Sequence, residues 1–240
     1  MTIPKNWRNK VLTYTLVALI IAFLVLALRA GNVFLSIARY RGYWLQQNTQ
    51  PVPDNAFIYV ALGDSTAQGI GATSPRKGYV GQLAKRIEAR ISRPVHVINF
   101  SISGAKLTDL EQKLLPEFDK LSLKPDLVTL GIGSNDMPAF DQKNFEADMQ
   151  SILKRLPEDT IVLEISPYFK EKAATSNKII NRLASQEGIR AGPLDKVIRD
   201  KLTWRTYGGD FFHPSNYGYK LWTDAFWEVV EPTLHTNSET

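Results

Sequence analysis

Cysteine is absent from all 240 residues, which excludes a disulfide framework, a thiolate metal site and a cysteine nucleophile. Histidine is scarce: His96, His213 and His235 are the whole supply. No H-E-x-x-H occurs, and the nearest approach to G-x-G-x-x-G, Gly69-Ile-Gly71-Ala-Thr-Ser74, lacks the third glycine. Neither a metal nor a dinucleotide cofactor is therefore expected. The first 50 residues contain no acidic side chain, yet they carry Lys5, Arg8, Lys10, Arg29, Arg39 and Arg41. Taking those six from the 29 basic residues leaves 23 against 24 acidic ones. The isoelectric point of 9.3 thus belongs to the N-terminal segment, not to a phosphate-facing patch on the folded domain. Nucleic acid is excluded as a partner on that ground.

What the segment does contain is Val11–Leu28, 18 residues without a charge. As a helix it rises about 27 Å, near the ~30 Å hydrocarbon thickness of a bilayer. A cleaved signal peptide has a shorter apolar region and a small-residue cleavage site. Leu28-Arg29-Ala30 does not supply one, so an uncleaved single-pass anchor is the favoured reading. Lys5, Arg8, Lys10 and the amino terminus flank the span on one side, and Arg29, Arg39 and Arg41, two of them further away, on the other, which puts the N-terminus in the cytoplasm and the folded domain outside it. Four divisions follow: an anchor over 1–30, a juxtamembrane segment and linker over 31–54, a folded domain over 55–232 and a polar tail over 233–240. Within the second, 32–47 reads as a short helix lying on the membrane surface, and 47–54 as a polar, proline-containing linker.

From residue 55 the pattern alternates. Apolar, β-rich runs at 57–62, 95–100, 127–132 and 161–165 are separated by helical stretches at 78–91, 106–121, 144–156 and 172–187. A last helix follows Pro214, over 219–230. A fifth strand near 188–193 is weak in sequence. Continuous apolar strands between helices predict an α/β fold with a mostly parallel sheet of about five strands, covered on both faces, after one N-terminal transmembrane helix. In such sheets ligands gather beyond the carboxyl ends of the strands.

Reactive residues fall there. Strand one ends in Leu62-Gly63-Asp64-Ser65-Thr66, which exposes a serine hydroxyl after a strand; Asp, Ser and Thr are equally ordinary helix N-caps. A serine nucleophile needs a base. His96 sits inside a strand and reads as structural, and His235 in the polar tail reads as a solvated surface residue. His213 occupies a loop before the last helix, with Asp210 three residues upstream to hold its Nδ1 proton. Gly104 follows strand two, where a backbone N–H can approach a ligand. Asn135 follows strand three, with an amide suited to an oxyanion. Gly, Ser and Asn-Asp are also common turn residues.

Gly63-Asp64-Ser65, Gly104, Gly133-Ser134-Asn135-Asp136 and Asp210-Phe-Phe-His213, in this order, resemble the four blocks of the SGNH hydrolases, or GDSL esterase/lipase family. The resemblance runs from Phe57 to about Pro232. It implies a three-layer αβα sandwich of the flavodoxin kind. Ser65 is the implied nucleophile; Asp210 and His213 complete the triad, and Ser65, Gly104 and Asn135 form the oxyanion hole. Thr66 departs from the leucine of the GDSL motif. The α/β-hydrolase elbow G-x-S-x-G is not met, since Ala67 stands at its last position.

The implied activity is hydrolysis of a carboxylic ester or thioester through an acyl-enzyme, on a small-molecule or lipid ester. O-deacetylation or O-acyl transfer on an acylated cell-envelope glycan is a second reading. A membrane-displayed binding module without catalysis is a third. Tyr207, Phe211, Phe212, Tyr217, Tyr219 and Trp222 are candidate walls of an acyl pocket, although core packing accounts for such aromatics equally well.

Overall fold

A computed structural model of the chain describes residues 5–234; His235 and the rest of the polar tail lie outside them. The five strands are β1 (Phe57–Gly63), β2 (Val95–Ser101), β3 (Leu127–Gly131), β4 (Thr160–Leu163) and β5 (Arg190–Gly192). All pairings are parallel, in the order β2-β1-β3-β4-β5. That is the flavodoxin-like order, with its switch point at β1 and β3. Strand five forms despite its poor sequence because it is three residues long and needs only one neighbour, pairing Arg190, Ala191 and Gly192 with β4.

Alternation along β1 builds the layers. Phe57, Tyr59 and Ala61 enter one core with Leu83 and Ile87 of α3 (Tyr79–Ile91), Leu194 and Val197 of α8 (Leu194–Ile198), and Phe226 and Val230 of α9 (Asn216–Val230). Ile58, Val60 and Leu62 enter the other, with Phe145 and Met149 of α6 (Gln142–Leu153) and Ile180 and Leu183 of α7 (Lys170–Gln186). Every residue of β1 is buried. Each large apolar side chain removed from water contributes about 1.5–3 kcal/mol, so this central strand is the deepest anchor of the fold. The layered α/β architecture expected from the alternation is the one observed.

Two helices depart from expectation. The stretch over 106–121 is not one regular helix: α4 (Leu107–Asp109) passes through a π turn at Leu110–Leu114 into α5 (Leu115–Asp119). Pro116 has no N–H for a regular i→i−4 bond, and the ladder shifts just before it, with Leu115 N–H bonding the Leu110 carbonyl. The second departure is larger. Residues 32–47 do not form a separate surface helix but continue the apolar segment as one helix, α1 (Lys5–Gln47), about 65 Å long at 1.5 Å per residue. No proline interrupts it, and Gly31 and Gly42 do not bend it out of helical geometry.

The apolar part of α1 is exposed throughout. Its C-terminal part packs on the domain. Tyr40 and Trp44 are buried; Tyr40 Oη donates to the Ala72 carbonyl at 2.8 Å, and Trp44 Nε1 donates to the Gln68 carbonyl at 3.0 Å. Just past the helix, Asn48 pairs with the Asn99 backbone of β2, donating to its carbonyl at 3.0 Å and accepting from its N–H at 2.8 Å.

Candidate active site

The site is assembled where β1 and β3 end. Gly63 pairs with Gly131, and a Cβ on Gly63 would collide with the Gly131 carbonyl. Only this close approach lets the chain turn at once into α2 (Ser65–Gln68). Asp64 caps the helix, its Oδ1 accepting from Thr66 N–H and from Thr66 Oγ1, each at 2.8 Å. Burial pushes the Asp64 carboxyl up, partly offset by those two bonds and by the charge of His213. Ser65 is thereby fixed at the first helical position, where a backbone N–H has no partner within the helix. Gly69, at φ +85°, closes the turn.

His213 arrives on the loop between Tyr207 and Pro214, which bridge in antiparallel fashion. Gly208 N–H donates to the His213 carbonyl at 2.7 Å. Asp210 Oδ1 accepts from the N–H groups of Phe212 (3.1 Å) and His213 (3.0 Å), while its Oδ2 lies 2.6 Å from His213 Nδ1. The opposite ring nitrogen, Nε2, lies 2.9 Å from Ser65 Oγ. Partial burial pushes the Asp210 carboxyl up. The imidazole bond, the two backbone N–H groups and the charge of His213 outweigh it and hold the carboxyl below the usual range. An ionised Asp210 keeps its proton on His213 Nδ1 and leaves Nε2 to accept from the serine.

Asn135 follows β3, its Nδ2 donating to the Ala105 carbonyl at 3.0 Å and to Asp64 Oδ2 at 3.3 Å. Gly104 is exposed in the loop after β2, at φ +81° and with nothing near its Cβ position. Asp136, next to Asn135, accepts from Leu107 N–H at 3.3 Å; burial raises its carboxyl to about 6. His96 is buried in β2, and desolvation pulls its imidazole down, as suits a structural histidine.

A family model for GDSL-like lipase/acylhydrolases matches residues 61–221. The chain belongs to that family. It is a serine ester hydrolase by membership, and Ser65 to His213 lies entirely within the match. No curated protein sequence matches the chain. Solved structures with the same fold include an α/β hydrolase from the metagenome of Lake Arreo, Spain (20% identical, 74% of this chain and 96% of that one, TM-score 0.60). Others are an acetylxylan esterase from Geobacillus stearothermophilus (20%, 76% and 97%, 0.59) and the protein TesA (22%, 74% and 99%, 0.59).

In this GDSL-like hydrolase a cleft opens beside Ser65, Asn135 and His213, with Tyr168, Phe169, Ile198, Leu202, Phe212 and Trp222 among its walls. Of the six aromatics expected to line it, Tyr207, Phe212 and Trp222 do. Phe211 and Tyr217 point to solvent instead, and Tyr219 is a buried strut whose hydroxyl donates to the Ile70 carbonyl at 2.7 Å.

Gly71 escaped the sequence reading, which took the Gly-Ile-Gly run only as a poor nucleotide motif. Gly71 stands at φ +93°, and a Cβ there would lie 2.5 Å from the Pro214 carbonyl oxygen and 2.7 Å from His213 Cβ. It is the cradle against which the histidine loop rests. Gly71→Ala is expected to displace His213 and lower kcat by about 10²-fold, since misplacement by an ångström costs that much. Steady-state kinetics beside a circular dichroism spectrum checks it; a folded variant with unchanged kcat contradicts the cradle.

Proposed function

We propose that Ser65, His213 and Asp210 act as a catalytic triad that hydrolyses a carboxylic ester or thioester through an acyl-enzyme. The observation that carries this reading is the chain of two contacts, 2.6 Å from Asp210 to Nδ1 and 2.9 Å from Nε2 to Ser65 Oγ. His213 takes the Ser65 proton as Oγ attacks the carbonyl carbon. The oxyanion is held by the Ser65 and Gly104 N–H groups and by the Asn135 amide, which gives up its longer bond to Asp64 Oδ2, 3.3 Å, to donate to it. His213 then gives the proton to the leaving oxygen or sulfur, takes one from the water that attacks the acyl-enzyme, and returns it to Ser65 Oγ as the acid departs.

The apolar walls of the cleft suit an acyl chain. An acetylxylan esterase shares the fold, which keeps an acylated glycan as a second substrate class. Val11–Leu28 serves as a single-pass membrane anchor, with the cytoplasmic side at the N-terminus and the hydrolase domain (55–232) beyond the opposite face. Support comes from the exposed apolar run and the basic residues before it.

A fluorophosphonate probe tests the assignment on the full chain. Labelling is expected at Ser65 and is expected to vanish in Ser65→Ala; labelling that persists overturns the nucleophile.

A further inference from the structure

The path of α1 across the domain fixes where the cleft stands relative to a bilayer. Its landmarks run in one direction. Asn48, past its end, pairs with Asn99 inside β2; Trp44 meets Gln68 at the end of α2; Tyr40 meets Ala72. Arg29 meets Gly209, where a Cβ on the glycine would lie 2.7 Å from the Arg29 carbonyl oxygen and 2.9 Å from Arg29 Cβ. Followed toward its N-terminus, the helix therefore runs from the outer strand β2, past the end of α2, to the loop beside which the cleft opens. It touches the domain at Arg29, one residue after the uncharged run ends. Gly209 immediately precedes Asp210. The end of the uncharged run at Leu28 therefore lies beside the loop that carries Asp210 and His213.

Exposed aromatic side chains flank that loop along the chain, and Tyr217 shares a hollow with Arg29 and Gly209. Trp204 is 70% exposed, Phe211 52%, Tyr217 47% and Phe212 41%. Phe211 is held outward by a backbone at φ +56°, a left-handed conformation that bulky residues seldom adopt. A soluble enzyme gains nothing from presenting these rings to water, whereas aromatic and arginine side chains suit the headgroup region. Arg29 and Arg205 supply the arginines, the latter 5.6 Å above the Trp204 ring.

We propose that Trp204, Phe211 and Tyr217 seat the rim of the cleft in the membrane interface, so that the site is loaded from the bilayer with a long-chain acyl ester whose carbonyl lies at headgroup depth. Phe212 and Tyr168, on the inner side of the rim, form the passage from the interface to Ser65. This rests on the esterase and anchor readings given above, and names the substrate class within them.

The absence of cysteine makes the depth directly measurable. Full chains carrying F211C, Y217C or W204C, labelled with bimane and reconstituted in phosphatidylcholine vesicles, are expected to be quenched by doxyl-phosphatidylcholine. E158C, in the loop before β4 at the opposite sheet edge, is expected to stay unquenched. Rim labels as unquenched as E158C overturn the proposal.

The double variant F211N/W204S is expected to lose tenfold or more of its rate on vesicle-embedded p-nitrophenyl palmitate while keeping p-nitrophenyl acetate hydrolysis within twofold. Asparagine tolerates the left-handed backbone at 211. Equal rates on palmitate, or equal losses on both esters, overturn it. The acetate assay separates the two levels: acetate hydrolysis that survives Ser65→Ala removes the Ser65 triad reading. Ser65-dependent acetate hydrolysis with an unquenched rim removes only the membrane seat.

Discussion

Alanine at Ser65 or at His213 is expected to lower kcat by about 10⁴–10⁶-fold, and the double variant to lose little more than either single one. The reason is the series arrangement of the site. In the proposed triad Nε2 has one use, to take the proton from Oγ 2.9 Å away, and Oγ has no other base beside it among the described residues. Without either partner, only binding and the oxyanion donors remain. Asp210→Asn keeps the shape but offers an amide to Nδ1, favouring the wrong tautomer, and belongs near 10⁴-fold. Single-turnover and steady-state rates on p-nitrophenyl acetate measure all four variants. A double variant far slower than either single one, near the product of their separate losses, would show Ser65 and His213 working independently.

The second large effect lies outside the site. Trp44→Ala removes a buried indole from the core it shares with Phe57, Tyr79 and Phe226, and leaves the Gln68 carbonyl without its 3.0 Å donor. Truncations of this kind cost about 3–5 kcal/mol, or roughly 6–20 °C in Tm for a domain of this size. The same contacts make two truncations diverge. A chain beginning at Gly31 keeps Tyr40, Trp44 and Asn48 and is expected to stay folded and active on soluble esters. One beginning at Asn55 loses all three and exposes the groove they fill. Equal melting temperatures for the two fragments would show that the docked helix adds nothing to the fold.

These contacts explain where the sequence was legible. The strands were, because both faces of β1, β3 and β4 are buried and their apolar runs leave no ambiguity. Ser65, Asp210, His213 and Asn135 were, because each follows a strand or precedes a helix and matches a family block. Tyr40, Trp44 and Asn48 were not. Their partners are backbone carbonyls 24 to 51 residues away, and no local pattern distinguishes a docked aromatic on a helix from one resting on lipid. Gly71 was hidden for a similar reason: its demand for space is set by His213, 142 residues later, and only the structure, through its positive φ and the closeness of His213 and Pro214, betrays it. The π turn at Leu110 left one trace, Pro116, which the apolar periodicity of 106–121 overrode.

The docked helix also governs reach. A glycine- and serine-rich tether of n residues would let a domain wander about 5–6 Å × √n from its anchor. Here no such tether intervenes, because the polar stretch after Gln47 begins only once the helix has fastened itself to α2 and β2. With the proposed anchor in a bilayer, the hydrolase would be a fixed-height device: it would scan a plane by lateral diffusion, and an ester held tens of ångströms above the bilayer would have to come down to it.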